Sequence, residues 1–315
     1  MTVILISWGT RIDKGGGGMA KGYRIYFDED GRAFADGVPL DTHDIQSKRK
    51  KEAYRKKMEA EEVTQWNRKE LWIAAYNRKV EEISKKLKLH ELGAYLVLVV
   101  HLKMDSKGKV MLDTKKPMTL EDIAKKIGKK DRQTREIINA LVREKALTKV
   151  KEGRHFVYYV NSDIHTMGEP IKEGESFTKI MQKATKNKLR LLHRGKFAGL
   201  TLEQIGLLYK IIPYFHWSKF YLVENPDEQD PDKLQPFDLK KLAEKIGISY
   251  AAMKRHMSGL MKAGIVMKSS AYGRNIYTVN PQILYRIDQE TAETASYKQR
   301  VIEEFNMAKK GELGE

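Results

Sequence analysis

The chain has 315 residues, with 59 Lys+Arg against 42 Asp+Glu, a net charge of +17 at pH 7 and no cysteine. The lack of thiols excludes a disulfide framework, a thiolate metal site and a Cys nucleophile, and no apolar run reaches the ~20 residues that span a bilayer. The cationic excess points to a polyanionic partner, with DNA, RNA and an anionic membrane surface all open on charge alone.

The opening MTVILISWG is too short for a signal-peptide core, and no small-residue cleavage site follows it. DKGGGG before Met19 reads as a translated ribosome-binding site, with Met19 as the start. Within an N-terminal segment over 1–40, YRIYF, DEDG and RAFADG read as strand, turn and strand of a small β-hairpin. Asp28, Asp30 and Gly31 are turn residues, because the downstream Glu of a calcium loop is missing. Residues 41–84 are charge-rich and nearly free of Gly and Pro, which predicts a basic helical arm. Its cluster of Lys48, Arg49, Lys50, Lys51, Arg55, Lys56 and Lys57 is either a solvated face or an arm along phosphates. Trp66, Trp72 and Tyr76, at rough helical spacing, dock the arm onto the domain after it.

A first unit spans 85–168. LHELGAYLVLVVHL is an apolar helix, and KVMLD a short strand after a turn at Gly108. TLEDIAKKIG is a second helix, capped by Thr119 and stopped by Gly128. A turn and third helix follow in KKDRQTREIINALVREKAL, then two strands around a Gly153-Arg154 tip. Residues 169–196 are a polar, basic linker with room for a helix from about Phe177. A second unit spans 197–286, with helices in LTLEQIGLLYKIIPYF, DLKKLAEKIG and ISYAAMKRHMSGLMKAG and a wing at Gly273-Arg274. Residues 287–315 are a charged, helical or frayed tail.

The two units are one sentence written twice. PMTLEDIAKKIG at Pro117 recurs as PFDLKKLAEKIG at Pro236, and YYVN ending at Asn161 recurs as YTVN ending at Asn280, both at an offset of 119. LHELG recurs as LEQIG, with Gly93 matched to Gly206 at an offset of 113. The six extra residues of the second copy fall in the acidic segment YLVENPDEQDPDKLQ, read as a solvated loop, where insertion is cheap. The repeated unit reads as a winged helix-turn-helix, so the fold class is mainly α with small β wings (α+β): two tandem winged-helix domains plus the N-terminal hairpin and basic helix.

Each third helix needs one buried and one free face. In the first, Thr134, Ile137, Ile138 and Leu141 follow the i, i+3, i+4, i+7 spacing of a core stripe. Arg132, Gln133, Arg135 and Asn139 are then free, and these are the side chains that pair with guanine and adenine edges. In the second, Met253, His256 or Met257, and Leu260 point inward, leaving Tyr250, Ala252, Lys254, Arg255 and Ser258 outward. Lys129, Lys130 and Ser249, at the helix starts, suit phosphate anchoring. Arg154, His155, Arg274 and Asn275 sit at wing tips that reach a minor groove or the backbone. Taken singly, each of these residues is an ordinary solvated side chain. The repeated pattern is what favours DNA.

The run "TLxDIAxxIG, polar turn, third helix, GR wing, YYVN" resembles winged helix-turn-helix proteins of the MarR-like kind over about 89–165 and again over 202–286. Two such units in one chain are also similar to plasmid and phage replication initiators. The resemblance implies sequence-specific binding of double-stranded DNA at a repeated or bipartite site, in the cytoplasm at the nucleoid, with replication or transcription proteins as further partners and no membrane. MarR-like regulators carry one such domain per chain, so the internal doubling favours the initiator. A MarR-like repressor and a non-catalytic adaptor are the alternatives. No enzyme is expected: there is no His-apolar-His pair, no GxxxxGK[ST] loop, and HELGA at His90 lacks the second His of a zinc protease. The acidic residues Glu224, Asp227, Glu228, Asp230 and Asp232 lack ligand spacing, so no metal and no cofactor are expected.

Overall fold

A computed structural model of the chain describes short strands at 3–4, 25–27, 33–35 and 38–39 and the runs 71–113, 116–189, 199–271, 274–287 and 291–311. The chain divides into two compact units, Met1–Lys69 and Glu70–Glu315. In the first, β1 (Val3–Ile4), β2 (Ile25–Phe27), β3 (Ala33–Ala35) and β4 (Val38–Pro39) form an antiparallel sheet in that order. The expected hairpin is the β2–β3 pair, with Ile25 opposite Ala35. Val3 pairs with Tyr26 and Ile4 with Ile25 in this sheet. The basic cluster 48–57 and Trp66 lie outside the described residues.

The larger unit is α+β and opens with a strand, β5 (Trp72–Tyr76), that leads directly into α1 (Asn77–Lys86). This corrects the expectation of a helix through residue 84. WIAAY is a short apolar run buried from Ile73 to Tyr76, and burial on both faces selects strand there. α2 (Leu89–Val99) follows, then α3 (Leu120–Ile127), α4 (Asp131–Arg143) and the strands β6 (Leu147–Glu152), β7 (His155–Val160) and β8 (His165–Thr166). The segment read as the strand KVMLD makes only single bridges, Lys109 to Tyr159 and Met111 to Pro117.

The linker expected over 169–196 holds β9 (Phe177–Met181) and α5 (Gln182–Lys188), and β9 is an inner strand of a sheet. The series then runs again: α6 (Leu202–Ile211), α7 (Leu239–Ile246), α8 (Tyr250–Lys262), β10 (Val266–Ala271), β11 (Arg274–Val279) and β12 (Leu284–Tyr285). The charged tail forms α9 (Ala292–Gly311), which buries Val301, Ile302 and Phe305 and stacks Tyr297 on Phe220 at 6.0 Å.

Local rules explain the matched helices. Thr119 and Asp238 cap α3 and α7 by accepting from backbone N–H groups, and Gly128 and Gly247 end them at φ +65° and +73°. The repeated asparagines have a structural role too. Asn161 Nδ2 donates to the Lys145 carbonyl at 2.9 Å, and Asn280 Nδ2 donates to the Gly264 carbonyl at 3.0 Å. Both carbonyls belong to residues at positive φ, so each asparagine fastens the left-handed turn between a helix and its first wing strand.

Two joints link the series. One is a four-stranded antiparallel sheet in the order β12-β9-β5-β8. The other is the crossing of α2 and α6. A Cβ on Gly93 would lie 1.9 Å from the Leu202 carbonyl oxygen, and one on Gly206 would lie 1.9 Å from that of Leu89. A single apolar core runs through both series. At its centre Tyr95, His165 and Tyr209 pack together, Tyr209 edge to face with each of the other two and Tyr95 tilted on His165, with ring centroids 5.4–5.6 Å apart. The Ala74 carbonyl, 3.3 Å from His165 Nδ1, can only accept, so Nδ1 carries the proton and Nε2 accepts from the Tyr209 hydroxyl at 2.9 Å.

The insert is an exposed and half-exposed loop, and two of its residues also engage the body of the unit. Asp227 pairs with Arg286, whose side chain is 4% exposed, and the Glu228 carbonyl accepts from His216 Nε2 at 2.7 Å. A buried guanidinium without a counter-charge is strongly destabilising, so Asp227 carries a structural role.

Two outcomes are expected. Gly93→Ala or Gly206→Ala forces a methyl into backbone and should cost about 3 kcal/mol or more in urea unfolding. Gly259→Ala, which meets only the Gln204 side-chain end, should cost less; equal losses would refute the tight crossing. Burial pushes His165 down to about 3 and His101 down to about 4, from an ordinary value of 6.5. The unfolded chain therefore binds protons that the fold refuses, and stability should fall as pH drops from about 6.5 towards 4. His165→Gln should flatten that slope, and an unchanged slope in thermal melts from pH 7 to 4.5 would count against its burial as neutral imidazole.

Candidate nucleic-acid interface

α4 is positioned by its buried side, Thr134, Ile137, Ile138, Ala140 and Leu141, as the spacing predicts. Thr134 Oγ1 donates to the Lys130 carbonyl at 3.1 Å and secures the first turn. Arg132, Gln133, Arg135 and Asn139 are all exposed on the other side, with Glu136 among them. Arg132 Nε lies 3.3 Å from Glu136 Oε1, but the Arg132 side chain is 92% exposed, so water screens this bridge and it costs little to release. Lys130 is exposed and Lys129 half-buried at the turn before the helix.

The wing lies beside this helix. Arg135 is near enough to Tyr158 of β7 that its charge opposes the upward shift that burial gives the phenol. Arg154 and His155 are exposed at the β6–β7 turn, where Gly153 adopts φ +60°. The wing also displays residues that the sequence reading did not single out. Lys149 and Lys151 are exposed, and Lys149 Nζ sits 4.0 Å above the Phe156 ring, itself 46% exposed. A cation over an exposed aromatic ring is a surface that accepts sugar or a base face. The signal was available in TKVKEGRHF, where basic and apolar residues interleave.

In the second series Ser249 caps α8, its Oγ accepting from the Ala252 N–H at 3.2 Å. Met253, His256, Met257 and Leu260 are buried, so both candidates for the inward position are inside. Burial, then the nearby Arg255 charge, hold His256 below its ordinary range. Tyr250, Lys254 and Arg255 are exposed, with Lys254 Nζ 5.4 Å from the Tyr250 ring. Ser258 is half-buried, against the outward placement expected. Its neighbour Gly259 lies against the Gln204 side chain of α6. Arg274 and Asn275 are exposed at the start of β11, and Gly273 lies outside the described residues.

The two surfaces differ in charge texture. The segment 250–262 has Lys254, Arg255 and Lys262 and no carboxylate, whereas α4 carries Asp131 and Glu136 among its cations. Chemically, the first helix, α4, offers planar, two-pronged hydrogen-bond groups, and α8 offers point charge, a phenol and small apolar side chains.

Residues 219–311 match the family described as Firmicute plasmid replication protein (RepL), a stretch that runs from the segment between α6 and α7 to the end of α9 and is less than a third of the chain. No curated protein and no solved structure gives a significant match. No helix among the described residues is long and apolar enough to cross a membrane. The family match supports a function related to plasmid replication.

Proposed function

We propose that this chain is a sequence-specific binder of double-stranded DNA that initiates replication of a bacterial plasmid or phage. In this reading each series is a winged helix-turn-helix, α4 and α8 enter successive major grooves, and the wings hold the flanking backbone. The observation that carries it is the repeated pairing of a buried apolar face with an exposed cationic one, on helices that each follow a tight left-handed glycine turn. The family match adds replication as the setting. Arg132, Gln133, Arg135 and Asn139 read bases. Lys254, Arg255 and Tyr250 read or anchor the second groove, with Ser258 at its margin. Lys129, Lys130, Ser249, Arg154, His155, Arg274 and Asn275 hold phosphates and sugars. The protein works in the cytoplasm without a catalytic step of its own, and replication proteins join it at the bound site.

The test is fluorescence anisotropy on labelled duplexes at several salt concentrations. Affinity should fall linearly on a log–log plot against salt, with extra affinity for a preferred site. Arg132→Ala and Arg135→Ala should each cost about 1–3 kcal/mol on that site while leaving thermal stability unchanged. Binding indifferent to both substitutions would remove α4 as the reading helix.

A further inference from the structure

The two series are exchanged by an internal two-fold axis, and residue pairing alone establishes it. In the sheet, an offset of 105 carries Trp72 to Phe177 and Tyr76 to Met181; Trp72 pairs with Met181, and Tyr76 pairs with Phe177. Asn77 N donates to the Ser176 carbonyl at 2.9 Å, and the equivalent Gln182 N donates to the Leu71 carbonyl at 3.0 Å. The outer strands obey the same operation: Ala74 faces Thr166 as Lys179 faces Tyr285, and Ala75 faces His165 as Ile180 faces Leu284. In the helix layer, an offset of 113 carries Leu89 to Leu202 and Gly93 to Gly206; Gly93 abuts Leu202, and Gly206 abuts Leu89. Residue i touching the equivalent of j, while j touches the equivalent of i, is the signature of a two-fold interface. A head-to-tail repeat does not produce it.

α4 and α8 are equivalent under the same exchange. Buried Thr134, Ile137, Ile138 and Leu141 correspond, at an offset of 119, to Met253, His256, Met257 and Leu260. On the other side the chemistry has diverged. Arg132, Gln133 and Arg135 face solvent where the second helix has exposed Ala251, half-buried Ala252 and exposed Lys254.

We infer that one copy of this chain recognises two unlike half-sites in inverted orientation on a single duplex, and not a direct repeat. This rests on α4 and α8 being the reading helices. A rigid two-fold body engages two grooves of one duplex equivalently only when its axis lies on a dyad of the DNA backbone, and that placement inverts one half-site relative to the other. The half-site under α4 carries the guanine and adenine positions that Arg, Gln and Asn pair with. The one under α8 is read through thymine methyls by Ala251 and Ala252 and through charge by Lys254 and Arg255. The centres of the half-sites lie ~10 base pairs apart, one helical turn.

The experiment is selection of bound fragments from a random duplex library by the full chain, followed by sedimentation on the selected site. The expected result is two preferred blocks of different sequence in inverted orientation, one chain per duplex. Arg135→Ala should relax preference in one block only, and the double change Lys254→Ala with Arg255→Ala in the other. Reversing one block on a synthetic duplex, so that the pair becomes direct, should weaken binding roughly tenfold or more. Selected direct repeats, a true palindrome that takes two chains, or equal affinity for the reversed duplex would overturn the inverted arrangement while leaving DNA binding intact. Failure to enrich any sequence, with binding insensitive to salt, would overturn the DNA reading and this inference with it.

Discussion

The crossing of α2 on α6 is the constraint on which the larger unit depends. Two glycines that occupy the same place in the repeat let the backbones approach until each helix places a carbonyl oxygen where the other would carry a Cβ. No other residue fits, because any side chain begins with that carbon. The close approach buries almost the whole of both helices, including Leu92, Leu96, Leu98, Ile205, Leu207 and Leu208, and so removes the free face that an isolated first helix would present to water. Each series is therefore completed by the other.

The sheet is the second half of the same joint. β5 and β9 each run into a helix whose first residue, Asn77 or Gln182, is buried and engaged across the joint. Asn77 Oδ1 accepts from Thr178 Oγ1 at 2.8 Å, and Gln182 Nε2 donates to the carbonyls of Val100 and Leu102 at 3.1 and 2.6 Å. Buried amides that find partners in this way fix its register as well as its stability. The symmetry stops at the periphery. Among the described residues, the second series alone has the acidic insert that neutralises Arg286 and the long α9 that covers its flank. The family match runs over this stretch, from Lys219 to Gly311, so the added parts belong to the same matched module as α7 and α8.

What repeats and what diverges separate cleanly by physical role. The glycines of the crossing, the caps Thr119 and Asp238, the left-handed stops Gly128 and Gly247, and the turn asparagines Asn161 and Asn280 all hold backbone, and backbone geometry is common to both series. At the equivalent non-core positions of α4 and α8 the chemistry differs: exposed Arg132, Gln133 and Asn139 stand opposite exposed Ala251 and half-buried Ala252 and Ser258. Scaffold shared and surface diverged is the arrangement expected of a body that meets an asymmetric partner with a symmetric frame.

Much of this was legible in the sequence, because it depends on neighbours within a few residues. Helical period fixed α2, α3, α4, α6, α7 and α8 and their buried faces, and cap chemistry fixed their ends. The exposed set on α4 followed by subtraction. Three features could not be read that way. WIAAY and FTKIM fall by composition in a helical arm and a linker, since a five-residue apolar run has no period of its own and becomes strand only when a partner strand covers it. Helical period places Ser258 outward, since nothing local reveals that its neighbour Gly259 lies against Gln204. The repeat itself was visible as two matched sentences, but its geometry was not. A repeated sequence is compatible with translation or rotation, and only the long-range pairings of Gly93 with Leu202 and Trp72 with Met181 decided for a two-fold, because orientation between distant segments is set by tertiary contact alone.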